Sequence, residues 1–163
     1  MQLSKNFSLK EMIKSDVATR FGIDNSPNEE QLENLKALCT NILQKIRDEF
    51  EIAVTVNSGL RVKKLNTKIG GDKKSQHMKG EAADIEMIHI PNYSLFVWIV
   101  KKSGLDFDQC IAEFTSKENP TDGWVHISYK RNGKNRNLAT IAERIENKTV
   151  YRNLTQEEAD RLV

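Results

Sequence analysis

Ser75-Gln76-His77-Met78-Lys79-Gly80-Glu81-Ala82-Ala83-Asp84 is the stretch on which the fold turns. It places an imidazole and a carboxylate seven positions apart, with a glycine between them. Gly80 lets the chain turn back, and the small Ala82 and Ala83 allow close backbone approach, so His77 and Asp84 can converge on one ion. From Ala82 the pattern alternates. On a strand, Ala82, Asp84 and Glu86 share one face, while Ala83, Ile85 and Met87 point into a core.

A second segment has the same character. In Gly123-Trp124-Val125-His126-Ile127-Ser128-Tyr129, a period of two puts Trp124, His126 and Ser128 on one face and packs Val125 and Ile127 behind it. An imidazole between Trp and Ser on a polar face suits an open cleft with an apolar wall. Imidazole nitrogen and carboxylate oxygen are donors zinc favours, and catalytic zinc sites use three protein ligands plus a water. The third histidine, His89, precedes Ile90-Pro91 and reads as a loop residue.

Working outward, three capping boxes mark helix starts: Ser8…Glu11, Ser26…Glu29 and Thr155…Glu158. In the second, Pro27 takes the first helical position. Leu32, Leu35, Leu38, Cys39, Ile42, Leu43 and Ile46 then recur at helical spacing until about Phe50. Another helix is predicted over Tyr93 to Lys102, stopping at Gly104. Strands are predicted over Ile52 to Val56, Ala82 to Met87, Phe107 to Phe114 and Trp124 to Tyr129, the last two forming an antiparallel hairpin. The order of elements predicts an α+β fold, with helices packed on a small, mainly antiparallel sheet. Residues 1–130 read as one domain, with 131–163 an extension packed on it. In that extension Thr149-Val150-Tyr151 suggests an edge strand, and a short helix follows Thr155.

The 163 residues, with 38% hydrophobic and 29% charged, fit one soluble domain. A net charge of +2 is too balanced for a dedicated nucleic-acid binder. Cys39 and Cys110 read as core thiols rather than a disulfide. No apolar run reaches the ~20 residues of a membrane span, and the first residues lack the apolar segment of a secretory signal.

The stretch from Ser75 to Asp84 resembles the Ser-x-His-x-x-Gly-x-Ala-x-Asp signature of the zinc D-Ala-D-Ala carboxypeptidases, the phage L-alanyl-D-glutamate endopeptidases and their relatives with the hedgehog-type fold. All five fixed positions are present. Trp124-Val125-His126-Ile127-Ser128 resembles the strand of the third ligand, and Asn57-Ser58-Gly59-Leu60-Arg61 resembles the Ser-Gly-Tyr-Arg turn upstream. Phe7-Ser8-Leu9-Lys10-Glu11-Met12 is similar to the start of the small, phage-associated branch. The likeness runs from about Ser4 to Tyr129.

The resemblance implies a D,D-peptidase-like fold with Zn2+ on the open face of the sheet, held by His77, Asp84 and His126. It implies a substrate-side role for Arg61, whose planar fork suits a peptide carboxylate. Ser75, Gln76, Trp124 and Ser128 are further candidates for contact with substrate. Many relatives carry the general base three residues before the last histidine, where this chain has Gly123. The alternatives are Glu113, Glu118 and Asp122, with Glu113 favoured because a strand holds it rigidly. The implied partner is a peptidoglycan peptide, cut by a monomeric endopeptidase or carboxypeptidase that reaches the cell wall by phage lysis or another route. The competing expectations are a zinc-containing module that binds without cutting, and a phage structural protein. The basic run Tyr129 to Arg136 reads as a solvated turn or as a patch for anionic wall polymer.

Overall fold

A computed structural model describes residues 1–163. Six strands form one sheet in the order β1-β2-β4-β3-β5-β6. They are β1 (Val54–Ser58), β2 (Ala82–Met87), β3 (Gln109–Glu113), β4 (Trp124–Ser128), β5 (Leu138–Ile145) and β6 (Lys148–Asn153). All neighbours are antiparallel except β3 and β5, which run parallel. The architecture is the expected α+β one, with a mainly antiparallel sheet.

Two short helices, α1 (Leu9–Met12) and α2 (Asp16–Arg20), open the chain. A long helical segment follows: α3 (Glu29–Leu38), one π turn (Cys39–Leu43) and α4 (Gln44–Phe50). Its stripe of Leu35, Leu38, Cys39, Ile42, Leu43 and Ile46 is completely buried. It meets Ala83, Ile85, Val125 and Ile127 from the strands and Leu95, Phe96 and Ile99 from α6 (Asn92–Lys101), the helix that follows the short α5 (Lys63–Lys68). Each leucine, isoleucine, valine or phenylalanine among them contributes about 1.5–3 kcal/mol of apolar burial. The two cysteines are free and buried in this core; burial pushes the Cys39 thiol up to about 12, so it stays protonated. With the helices massed on one face, the outward residues of β2, β3 and β4 are left for an open cleft.

The boxes at Ser8 and Thr155 form as expected, the latter starting α7 (Gln156–Asp160). The middle one does not. Asn28 caps α3, with Gln31 reaching back to close the box, and Pro27 lies outside the helix. Ser26 is drawn instead into a turn in which its N–H donates to Asp24. The π turn was not foreseen, because one wide turn keeps every apolar residue of the stripe on the buried side.

The C-terminal region is built into the sheet. The edge strand expected around Thr149–Tyr151 is β6, but β5 was not expected. It inserts beside β3, with Cys110 opposite Ala139 and Glu113 opposite Ala142. Leu162 and Ala139 belong to the main core.

Candidate functional site

The outward faces of β2 and β4 bring the site together by register. Asp84 pairs with His126 directly across the two strands. His77 arrives from the one-turn 3-10 helix Gln76–Lys79, which α3 holds from behind. Gln31 donates to the carbonyl of Met78 and Asn34 to that of Lys79. Gly80 ends this turn at φ +71°, and a Cβ there would lie 2.6 Å from the Gln31 carbonyl oxygen, so only glycine fits.

His77 Nε2 lies 3.2 Å from Asp84 Oδ1 and 3.2 Å from His126 Nδ1, and Asp84 Oδ1 lies 2.9 Å from His126 Nδ1. All three residues are buried. His77 Nδ1 is 2.7 Å from the carbonyl of Gly59 and donates its proton there. That assigns the tautomer and turns the lone pair of Nε2 inward. Burial lowers the pKa of His77 in spite of Asp84 beside it, so the ring is neutral near pH 7. Three atoms that can each ligate a metal therefore face one small volume. Ligand atoms of a tetrahedral ion at ~2.0 Å bond length would stand roughly 3.3 Å apart, close to the spacing seen here. The donor set fits a metal ion.

Arg61 is turned inward. One guanidinium nitrogen donates to Asp84 Oδ2 at 3.0 Å, and Nε is buried without a partner. It thus orients Asp84, and the expected pairing with a substrate carboxylate is left to the rest of the guanidinium. The segment is pinned by Asn25, which donates to the carbonyls of Ile13 and Leu60 and accepts from Val62 N–H.

The cleft over these residues has a volume of about 750 Å³. Ser75, Gln76, Arg61, Trp124 and Glu113 all line it. Glu113 pairs with Trp124 across β3 and β4, one step along the face from the pair Ile111–His126. Burial raises its pKa, as does the charge of Asp84, with His126 and Arg61 acting in the opposite sense. Glu118 and Asp122 do not line this cleft. Gly123 explains why no acid stands three residues before His126. It sits at φ +59°, and a Cβ would fall 1.8 Å from the Glu113 carbonyl oxygen. The backbone of β3 fills the space a side chain would need.

Other candidate contacts already have protein partners. Ser128 is completely buried, and its Oγ accepts from Gln109 N–H at 3.0 Å, so it ties β3 to β4 and does not line the cleft. Gln76 lines the cleft, but its amide donates to Asp108 Oδ2 at 3.1 Å and more weakly to Glu81. The basic run is largely spoken for: Lys130 and Arg136 both pair with Asp108, at 2.9 and 2.6 Å, and Arg131 donates to Asn34. His89 is exposed on a loop, as expected.

Asp108 was not singled out from the sequence, where a lone Asp before a strand carries no pattern. Its side chain is fully buried, and it joins the turn beside His77 to the start of the C-terminal strands. Burial raises its pKa, but Arg136 and Lys130 outweigh this and hold it at about 2, below its usual 3.8. A depressed carboxyl contributes stability that is present above its unfolded pKa and is lost as pH falls through the folded one. Asp108→Asn should therefore lower stability at neutral pH by on the order of 1–2 kcal/mol, allowing for solvent screening of the two cations. The gap should close between pH 4 and pH 2. Urea melts of both proteins across that range check it, and a gap independent of pH would refute the ion-pair account.

The geometry defines a class: an α+β protein with a His-Asp-His group that could hold a cation on the open face of a mainly antiparallel sheet, and a half-buried glutamate beside it. Residues 5–128 match the family model described as Peptidase M15, so the chain belongs to the M15 peptidases, the family of the zinc D-Ala-D-Ala carboxypeptidases. It is a metallopeptidase by that membership, and His77, Asp84 and His126 are the group that could bind its metal. A search of curated proteins returned no match.

Proposed function

We propose that the protein is a zinc-dependent endopeptidase acting on the stem or cross-link peptides of peptidoglycan at the bacterial cell wall. The observation that carries the reading is the convergence of His77 Nε2, Asp84 Oδ1 and His126 Nδ1 in an open cleft with Glu113 on the same face. Zinc held by these three atoms would supply Lewis acidity, lowering the pKa of a water and polarising the scissile carbonyl. Glu113 would be the group that accepts a proton from the attacking water and hands it to the leaving amine, a task suited to a carboxylate whose proton affinity burial has raised. Gly59 and Arg61 keep His77 and Asp84 aimed at one point throughout.

Cutting inside a peptide needs room on both sides of the site. A second hollow of about 490 Å³, lined by Phe114, Asn119, Asp122 and Arg144, shares Trp124 with the main cleft. This supports an extended substrate over a chain end. Lys74 and Lys79 on the cleft wall favour the free carboxylates of stem peptides. The absent acid at Gly123 favours the competing reading, a metal-bearing module that binds without cutting.

The test is to incubate zinc-loaded protein with purified peptidoglycans and to identify released fragments by mass spectrometry. Fragments should appear, vanish on chelation, return with zinc and be absent with His126→Ala. A zinc-loaded protein that releases none would remove the endopeptidase reading.

A further inference from the structure

The family match ends at residue 128, but the cleft does not. Thr140 on β5 and Tyr151 and Asn153 on β6 line the same cavity as the metal site. The sheet register shows how. One row of paired residues runs Asp84, His126, Ile111, Thr140, Asn153 across β2, β4, β3, β5 and β6. The adjacent row runs Trp124, Glu113, Ala142, Tyr151. Laterally paired residues point to the same face of a sheet, so the hairpin continues the reactive face.

The two end residues carry suitable chemistry. Tyr151 is 57% exposed, and the only residue between it and Glu113 in its row is a buried alanine. Partial desolvation raises the pKa of its phenol, and the charges of Glu113 and Asp84 add to this, so it stays a donor at neutral pH. Asn153 Oδ1 accepts from Thr140 Oγ1 at 3.0 Å, which orients the amide and leaves its NH2 without a protein acceptor. Thr140 is itself 1% exposed and held by Gln109. On the opposite side the cleft is walled by the turn Gly70–Gln76 and Arg61. A chain lying over the metal site runs between these two walls.

We infer that the β5–β6 hairpin is the second wall of the substrate cleft, with Tyr151 and Asn153 donating hydrogen bonds to backbone carbonyl or carboxylate oxygens of the bound peptide. Tyr151 and Asn153 are thus specificity-determining residues supplied from outside the segment shared with the family. The inference rests on the peptidase reading for the identity of the peptide.

The experiment uses the full zinc-loaded chain and a synthetic peptidoglycan stem pentapeptide, both free and cross-linked. Turnover is measured for the parent, Y151A, Y151F and N153A. Equilibrium affinity for the same peptides is measured by calorimetry in an E113Q background. Val150→Ala, the neighbouring exposed position on the other face of β6, serves as the control. Y151A should raise KM and weaken binding about tenfold with kcat within about twofold, since one hydrogen bond and one ring contact are lost. Y151F should fall between, N153A should resemble it, and V150A should match the parent. Thermal melts confirm that the exposed substitutions leave folding intact. An active parent whose KM and affinity are unchanged in Y151A and N153A overturns the inference and leaves the peptidase reading standing. Tyr151-dependent binding by a parent that cuts nothing overturns the peptidase reading alone. A parent that binds neither peptide overturns both.

Discussion

Asp84→Asn is expected to strip the metal from the site and to lower turnover by at least about a thousandfold. The carboxylate is the hub of the cluster. Oδ1 faces both histidines at 2.9 and 3.2 Å, and Oδ2 receives Arg61 at 3.0 Å. Asparagine keeps this shape but removes the one negative charge among the three ligands. Its NH2 can donate to the inward lone pair of His77, replacing an ion with a neutral hydrogen-bonded cluster. Losing Lewis-acid stabilisation worth several kcal/mol costs three or more decades in rate. Folding suffers less, because the amide oxygen still receives Arg61, at a cost of about 1–2 kcal/mol for the weaker bond. Metal content per chain, read by mass spectrometry, separates the two effects. A variant that retains one metal per chain and full turnover would exclude Asp84 as a ligand.

Glu113→Gln should leave metal content and KM near those of the parent and lower kcat by about 10²–10⁴-fold. Glutamine preserves the volume on β3 beside Trp124 but can neither take nor return a proton. The same substitution judges the binding-only reading, since a module that never cuts has no turnover to lose. Turnover within threefold of the parent would move the proton-transfer role to the loop between β3 and β4, where Asp122 and Glu118 lie.

Much of the site was legible because the signals were local. Ser75 to Asp84 combines a turn that requires glycine with a strand of period two, and β4 repeats that alternation, so His77, Asp84 and His126 could be placed on one face from spacing and resemblance. Glu113 could be placed because β3 and β4 are short neighbours in the chain. β5 escaped notice for a physical reason. Its most deeply buried residues, Ala139, Thr140 and Ala142, are small or polar, so the strand carries almost no hydrophobic alternation. Its parallel pairing with β3 also leaves no turn signal. The inward roles of Arg61 and Ser128 were hidden for another reason. A residue's direction along a motif says which face it occupies, but not which partner has already claimed its hydrogen bonds.

The parallel joint between β3 and β5 bears on how the protein can be handled. A chain trimmed where the family match ends would strip the outer edge of β3, baring the amides and carbonyls of Gln109–Glu113 to any passing strand. It would also remove both cations that neutralise Asp108. Fragments of that length should come out of cells as aggregates. Libraries aimed at altering what the enzyme cuts should therefore keep both of the last two strands and be drawn on their outward positions.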